Sequence, residues 1–173
     1  ECSVLKQLSH PGIGKLIDFG KDQDRYYLVT EYVDGLDLLS ACKSQNFAQI
    51  EDYLVQTLRA LNYLHSKNIF HADLKPANIR VTQNNLVKLI DFGFAGINHR
   101  DTLLGTPAYI APELIFGFAN NSKSDLYSLA ITFYECISGV NPFASTSLSE
   151  SLNLQQHLNP TPLHKLNPTI PEY

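Results

Sequence analysis

The chain has 173 residues, 44% of them hydrophobic and 17% charged, which is enough for one domain with a hydrophobic core. Its formal net charge of −4 argues against a nucleic-acid-binding surface, and no apolar stretch or leader predicts a membrane span or signal peptide. The three cysteines are widely spaced and the six histidines lack metal-ligand spacing. We therefore predict reduced thiols and a cytoplasmic location.

The first part of the chain predicts the end of a helix and a pair of strands. Apolar residues at positions 4, 5 and 8 share one helix face, and Pro11 ends that helix because proline cannot continue it. Two strand-like runs follow at 15–19 and 26–31, joined by a polar turn at 20–25. We expect these runs to pair.

Helical periodicity dominates the middle of the chain. The clearest helix is predicted over 46–66, with the apolar stripe Ile50, Tyr53, Leu54, Thr57, Leu58, Leu61 and Leu64. A second is predicted over 122–139, where Ser122 and Asp125 resemble a capping box and Gly139 ends the helix. Its stripe is Leu126, Leu129, Ala130, Phe133 and Ile137. A weaker helix is expected over 147–157, and the prolines beyond residue 159 predict an extended linker or a truncated lobe end.

The stretch from 71 to 93 holds the residues with the most chemical content. It reads H-A-D-L-K-P-A-N, then two short apolar runs around an Asn-rich break, then D-F-G, and such a break is typical of a β-hairpin. The hairpin should bring Asp73, Lys75 and Asn78 beside Asp91. Burying these groups together is costly unless they hold something charged. Magnesium-bound polyphosphate suits them, because Mg²⁺ takes one or two carboxylates plus phosphate oxygens.

These motifs, with G-T-P-A-Y-I-A-P-E at 105–113, resemble the catalytic, metal-binding and substrate-facing loops of serine/threonine protein kinases. The resemblance implies an α+β, protein-kinase-like fold in one partial kinase domain. An incomplete small lobe and hinge would occupy 1–33, with the tail of the helix called αC and two or three strands. A mainly helical large lobe would occupy 34–157, with Asp125 holding the backbone of the catalytic loop. Residues 158–173 would form the proline-rich tail.

The resemblance implies a chemical role for each polar residue. Asp73 would orient the acceptor hydroxyl or accept its proton, and Lys75 would neutralise charge on the transferring phosphoryl group of ATP. Asn78 and Asp91 would bind Mg²⁺, or Mn²⁺ in its place. These two residues and Lys75 would also form part of the nucleotide-binding site. Thr106 would bond to Asp73 or Lys75 and shape the site for a serine or threonine of a protein substrate.

Further nucleotide contacts are implied by the same resemblance. Backbone groups of Glu31 and Val33 would bond the adenine edge, and Asp37 would meet the ribose. Arg80 would lie beneath the adenine ring, where the family usually has an apolar residue, although a guanidinium can stack on a π face. Glu1 falls at the family's αC glutamate. Its lysine partner and the glycine-rich loop would lie upstream, so we expect a longer, multidomain parent chain, and residues 1–173 alone to be an inefficient enzyme.

One departure from the family concerns regulation. The usual arginine before the catalytic aspartate is Ala72. A phosphate on Thr102, at a position where many kinases are phosphorylated, would therefore lack its main guanidinium partner. Activity is predicted not to depend on phosphorylating Thr102, although His99 and Arg100 could offer substitute charge.

Two other interpretations stay open. A pseudokinase or nucleotide-binding signalling module is compatible with Ala72 and Arg80, but the intact polar residues of the two loops argue against it. A small-molecule kinase of the aminoglycoside-phosphotransferase type shares the H-x-D-x-x-x-x-N loop and a D-x-G motif. The segment 105–113 speaks against that class, because it belongs to protein kinases.

Overall fold

The computed structural model describes residues 5–91, 106–168 and 170. The described ranges leave out Glu1 and the rest of 1–4 in the predicted helix end, the last two residues of D-F-G, and Thr102. The described part combines a β-hairpin, a small three-stranded sheet and several helices. This arrangement confirms the predicted α+β class.

The hairpin consists of β1 (Leu16–Asp22) and β2 (Arg25–Thr30), which pair antiparallel. The sequence predicted a six-residue turn, but the strands continue through the polar residues as far as the Asp22↔Arg25 pair. The tight turn is allowed because Gln23 adopts a left-handed conformation, with φ of 51°. Backbone pairing therefore extends further than the side-chain pattern indicated.

A second sheet begins in the segment that follows the hairpin. Its strands β3 (Leu36–Asp37), β4 (Ile79–Val81) and β5 (Val87–Leu89) run antiparallel in that order, which confirms the predicted hairpin over 79–90. Apolar residues on β4 and β5 face the core. Arg80 lies opposite Lys88 in the strand register, and both side chains are on the other face. The sheet thus has one buried and one charged side.

The helical part has a long central helix with shorter ones around it. The helices are α1 (Leu38–Cys42), α2 (Phe47–Ser66), α3 (Pro112–Ile115), α4 (Ser122–Ser138), α5 (Leu148–His157) and α6 (Leu163–Leu166). Two 3-10 turns lie at Pro76–Asn78 and Pro107–Tyr109. Helix α2 starts where predicted, because the side chain of Asn46 accepts a hydrogen bond from the backbone N–H of Gln49.

The core lies between α2, α4, α1 and the three-stranded sheet. Its most buried members on α2, each with 1% exposure or less, are Tyr53, Thr57, Ala60, Leu61 and Leu64. Leu58, which the periodicity assigned to the same stripe, is 38% exposed. The buried face of α2 is therefore narrower than the apolar pattern, since the sheet and α4 cover only part of it.

Helix α4 differs from the prediction in its cap and its buried face. The capping box is formed by Asn121 and Ser124 rather than by Ser122 and Asp125. Predicted stripe residue Leu126 is 44% exposed and Ala130 is exposed as well, whereas Ile131, Thr132 and Cys136 are buried. In this orientation Asp125 is buried and accepts hydrogen bonds from the backbone N–H groups of His71 and Ala72.

The proline-rich end is not simply extended. Helix α6 forms one turn there, and the hydroxyl of Tyr134 on α4 donates to the carbonyl of Thr161 (2.8 Å). None of the helices in the described ranges has the length and apolar character needed to cross a membrane.

Candidate active site

Three side chains around Asp73 form a closed triangle of hydrogen bonds. Lys75 Nζ donates to Asp73 Oδ2 and to Thr106 Oγ1, each at 2.7 Å. The Thr106 hydroxyl donates in turn to Asp73 Oδ1 at 3.0 Å. Asp73 is only 7% exposed, and a buried carboxylate needs such partners. The structure thus brings Thr106 beside two residues that lie 31 and 33 positions before it in the chain.

Asn78 joins the triangle from the 3-10 turn that starts at Pro76. Its Nδ2 donates both to the backbone carbonyl of Asp73 (2.8 Å) and to Asp73 Oδ2 (3.0 Å). Because both bonds use the nitrogen, the Asn78 carbonyl oxygen is available to a ligand. A hard cation such as Mg²⁺ prefers an oxygen of this kind.

The β4–β5 hairpin returns the chain to the same place just before Asp91. The backbone N–H of Ile90 donates to the carbonyl of Asn78, and His71 Nε2 donates to the carbonyl of Ile90, both at 3.0 Å. Asp91 itself is exposed and has a left-handed φ of 61°. Such strain in a non-glycine residue is frequent at functional sites.

His71 is a structural member of the site that sequence reasoning did not single out. Its side chain is 0% exposed, and burial lowers the pKa of the imidazole even though Asp125 opposes that shift. The neutral ring donates through Nε2 to Ile90 and accepts from the backbone N–H of Asp73 (3.4 Å) through Nδ1. The only signal in the sequence was its place two residues before Asp73.

Asp125 holds the backbone of the catalytic loop, as the resemblance implied. Its two carboxylate oxygens accept the backbone N–H groups of His71 (2.9 Å) and Ala72 (3.0 Å), and His65 Nε2 lies 2.8 Å from Oδ2. Ala72 has a φ of 68°, a region that alanine rarely adopts. The bonds from Asp125 therefore stabilise a strained peptide next to Asp73.

The residues expected around a nucleotide base lie along the segment that joins β2 to α1. Val33 is buried, and the Glu31 carboxylate points to Lys88 and accepts from the backbone N–H of Lys15 (3.1 Å). Asp37 accepts from the backbone N–H of Ser40 (2.9 Å) and so caps α1. The side chains of Glu31 and Asp37 thus have structural partners of their own.

Arg80 links this segment to the sheet. Its guanidinium donates to the carbonyl of Gly35. A Cβ on Gly35 would lie 2.2 Å from the carbonyl oxygen of Val81, so only glycine permits the close approach. Arg80 therefore supports the segment from the charged face of the sheet.

Within the described ranges, no three His, Cys, Asp or Glu side chains are grouped so that they could hold a metal ion. A cation at this site would have to use the Asn78 amide oxygen, Asp91 and ligands brought by a substrate. That set fits Mg²⁺, which is usually bound by one or two carboxylates and by phosphate oxygens.

Comparison with known proteins agrees with this geometry. The protein kinase domain family matches residues 1–171. Serine/threonine-protein kinase ULK3 of Xenopus laevis is 40% identical over an alignment of 159 positions, covering 87% of this chain and 34% of that protein. Human serine/threonine-protein kinase ULK1 is 38% identical over 187 aligned residues, covering 99% of this chain and 17% of ULK1. A probable serine/threonine-protein kinase of Clostridium acetobutylicum is 34% identical, with 99% and 27% covered.

The described fold and the family match lead to one assignment. With the match over 1–171, the chain belongs to the protein kinase family. It spans about a third or less of the three relatives named above, namely 34%, 17% and 27% of their lengths.

Proposed function

We propose that the parent chain is a serine/threonine protein kinase that transfers the γ-phosphoryl group of ATP to hydroxyl groups of protein substrates. The observation that supports this most directly is the closed triangle of Asp73, Lys75 and Thr106. It presents a carboxylate, an ammonium and a hydroxyl at one point, which is what in-line transfer to an alcohol requires.

In this proposal the chain's own residues act mainly by positioning. Asp73 orients the acceptor hydroxyl and takes its proton as the oxygen bonds to the γ-phosphorus, while the bond from that phosphorus to the bridging oxygen breaks and ADP leaves. Lys75, which already donates to Asp73 and Thr106, places its positive charge where negative charge develops on the phosphoryl oxygens. Since Asp125 and His71 hold the loop rigidly, little reorganisation is needed at the moment of transfer.

ATP and Mg²⁺, with Mn²⁺ as the alternative cation, are the proposed cofactors. The Asn78 carbonyl oxygen and the Asp91 carboxylate would hold the metal, which supplies charge neutralisation between the phosphates. Backbone groups of Glu31 and Val33 would bind the adenine edge, Asp37 the ribose, and the Arg80 guanidinium would lie under the base. Glu1 would pair with an upstream lysine of the parent chain and so position that lysine for phosphate binding.

A serine or threonine acceptor is favoured because Thr106 shapes the floor beside Asp73 and because the relatives named above are serine/threonine kinases. The described cysteines, Cys42 and Cys136, are buried free thiols. That state supports the proposed cytoplasmic location, since reducing compartments keep thiols unpaired.

The test compares the full-length parent protein with its Asp73→Asn variant. Transfer of labelled phosphate from ATP to a generic protein substrate should fall by about 10²–10⁴-fold, the usual contribution of a positioned acid or base. Asp22→Asn, at an exposed carboxylate in the hairpin, is the matched control and should keep full activity. ATP binding with retained transfer in Asp73→Asn would contradict the proposal. ATP binding without transfer in the wild type would favour a pseudokinase instead.

A further inference from the structure

We infer that Gln155 on α5 is a positioning residue for the substrate-facing loop: it fixes the backbone carbonyl of Pro107 and, through it, the placement of Thr106. This inference rests on the proposed kinase function, because its consequence is read on the protein substrate. Gln155 lies on the helix Leu148–His157, far from the catalytic loop in sequence.

Both ends of the Gln155 amide are used. Its Nε2 donates to the carbonyl oxygen of Pro107 (3.2 Å), and its Oε1 accepts from the hydroxyl of Tyr127 on α4. The side chain is only 6% exposed, and a buried amide is costly unless it is hydrogen-bonded. The amide thus bridges α4 and the 3-10 turn that begins at Pro107.

Tyr127 fixes the orientation of the Gln155 amide. Burial, together with the nearby charge of Glu113, raises the pKa of Tyr127 to about 12. The hydroxyl therefore stays protonated over the physiological range and can donate to Oε1. This bond turns Nε2 of Gln155 toward Pro107, so the amide is oriented before any substrate binds.

The turn that Gln155 holds is directly joined to the candidate active site. Pro107 follows Thr106, whose hydroxyl bonds to Asp73 and Lys75. At the other end of the turn, the Tyr109 hydroxyl donates to Glu135 on α4 (2.5 Å). Gln155 and Glu135 therefore hold the two ends of the turn, and a shift of Pro107 would move Thr106 relative to the acceptor hydroxyl.

Within the described residues, Gln155 makes no bond to the residues proposed to hold the adenine, the ribose and Mg²⁺, and it reaches the phosphate side through Thr106 and Lys75. The residues proposed to contact ATP and Mg²⁺ lie on the β2–α1 segment, on β4 and in the catalytic loop, whereas Gln155 bonds to Tyr127 and Pro107. Loss of the Gln155 bridge should therefore weaken use of the protein substrate and leave ATP binding largely unchanged.

The experiment uses the full-length protein with Gln155→Leu, which keeps similar volume but removes both hydrogen bonds. Gln156→Leu, at the exposed neighbouring position of the same helix, is the matched control. Loss of a buried hydrogen bond should lower kcat/KM for a peptide substrate about 10-fold, with the KM for ATP changing less than about 2-fold. Tyr127→Phe keeps the bond to Pro107 and should give a smaller effect in the same direction.

A second readout does not depend on catalysis. The backbone N–H groups of Tyr109 and Ile110 bond to the carbonyls of Thr106 (2.9 Å) and Pro107 (3.4 Å) within the turn. In Gln155→Leu their hydrogen exchange should be about 5-fold faster than in Gln156→Leu. Equal exchange in the two variants, or equal changes in the KM for peptide and for ATP, would overturn the inference. If Gln155→Leu does not fold, Tyr127→Phe decides by the same exchange comparison.

Failure of the inference is distinguishable from failure of the proposed function. If the wild type shows no transfer that Asp73→Asn abolishes, the proposed function is wrong, but the exchange comparison still decides whether Gln155 holds the turn. If transfer is present and exchange at 109 and 110 is unchanged, the kinase function stands and the role of Gln155 is refuted.

Discussion

The imidazole of His71 connects the two loops of the candidate site at the residue scale. It contacts the backbone of Asp73 on one side and of Ile90, next to Asp91, on the other. Together the two contacts require the neutral ring, because Nε2 donates to Ile90 while Nδ1 must accept from Asp73. A protonated His71 would lose the acceptor, so acid should disturb the spacing between the loops.

Stability should therefore depend on pH through His71. Burial lowers its pKa in the folded state, whereas in the unfolded chain it titrates near about 6.5. Below that pH the imidazole is protonated in the unfolded state and still neutral in the folded state. The free energy of unfolding therefore falls as the pH falls, by up to about 1.4 kcal/mol per pH unit, until the folded pKa is reached. His71→Gln should flatten this slope when unfolding by urea is measured between about pH 7 and pH 5.

The matched control is His157→Gln, at an exposed histidine at the end of α5. It should keep the wild-type slope. The comparison concerns slopes and not absolute stabilities, because His71→Gln also alters packing. A wild-type slope retained in His71→Gln would show that another group is responsible.

At the scale of the element, α2 shows how a helix divides one apolar pattern between core and surface. Leu64 is completely buried, whereas Leu58 is 38% exposed. Both fit the same 3.6-residue periodicity, and only the elements packed against the helix distinguish them. Periodicity thus predicted the helix correctly but overestimated the width of its buried face.

Truncating these two leucines should have clearly different effects. Leu64→Ala should lower the free energy of unfolding by about 2–5 kcal/mol, because it removes buried methyl groups and leaves a cavity. Leu58→Ala should cost less than about 1 kcal/mol, since much of that side chain already contacts water. Denaturant unfolding of the two variants measures the difference. Equal losses would mean that Leu58 is packed against something in the parent protein.

At the scale of the whole molecule, the site depends on elements far apart in the chain. Asp125 from α4 and the β4–β5 hairpin hold the catalytic loop, and the Thr106 side chain completes it. The loop has Ala72 with a left-handed φ at the place of the family's arginine. Hydrogen bonds from Asp125 and His71 stabilise this geometry.

Phosphorylation of Thr102 is accordingly predicted to be dispensable. Without a guanidinium at position 72, a phosphate on Thr102 lacks its main bidentate partner. Thr102→Ala in the full-length protein should keep peptide phosphorylation within about 3-fold of the wild type, since the phosphate that it prevents would have no guanidinium partner at position 72. Loss of activity in Thr102→Ala that Thr102→Glu restores would show that His99 and Arg100 act as substitutes.

The amino-acid sequence alone determined the features that arise from local patterns. Helices over 46–66, 122–139 and 147–157 and the hairpin over 79–90 follow from periodicity, caps and turn residues. The motif residues Asp73, Lys75 and Asn78 could also be identified, because they form one short polar motif within six consecutive residues. Their catalytic and metal-binding roles remain predictions.

Only the tertiary structure decided which residues from distant segments meet. It fixed the geometry of the Asp125 contact that the resemblance had implied, placed His71 between two loops, and brought Gln155 to the carbonyl of Pro107. No local pattern contains these pairs, because their members are 19 to 54 residues apart. Such contacts form only when burial forces each polar group to find a partner, and that choice depends on how the whole chain packs.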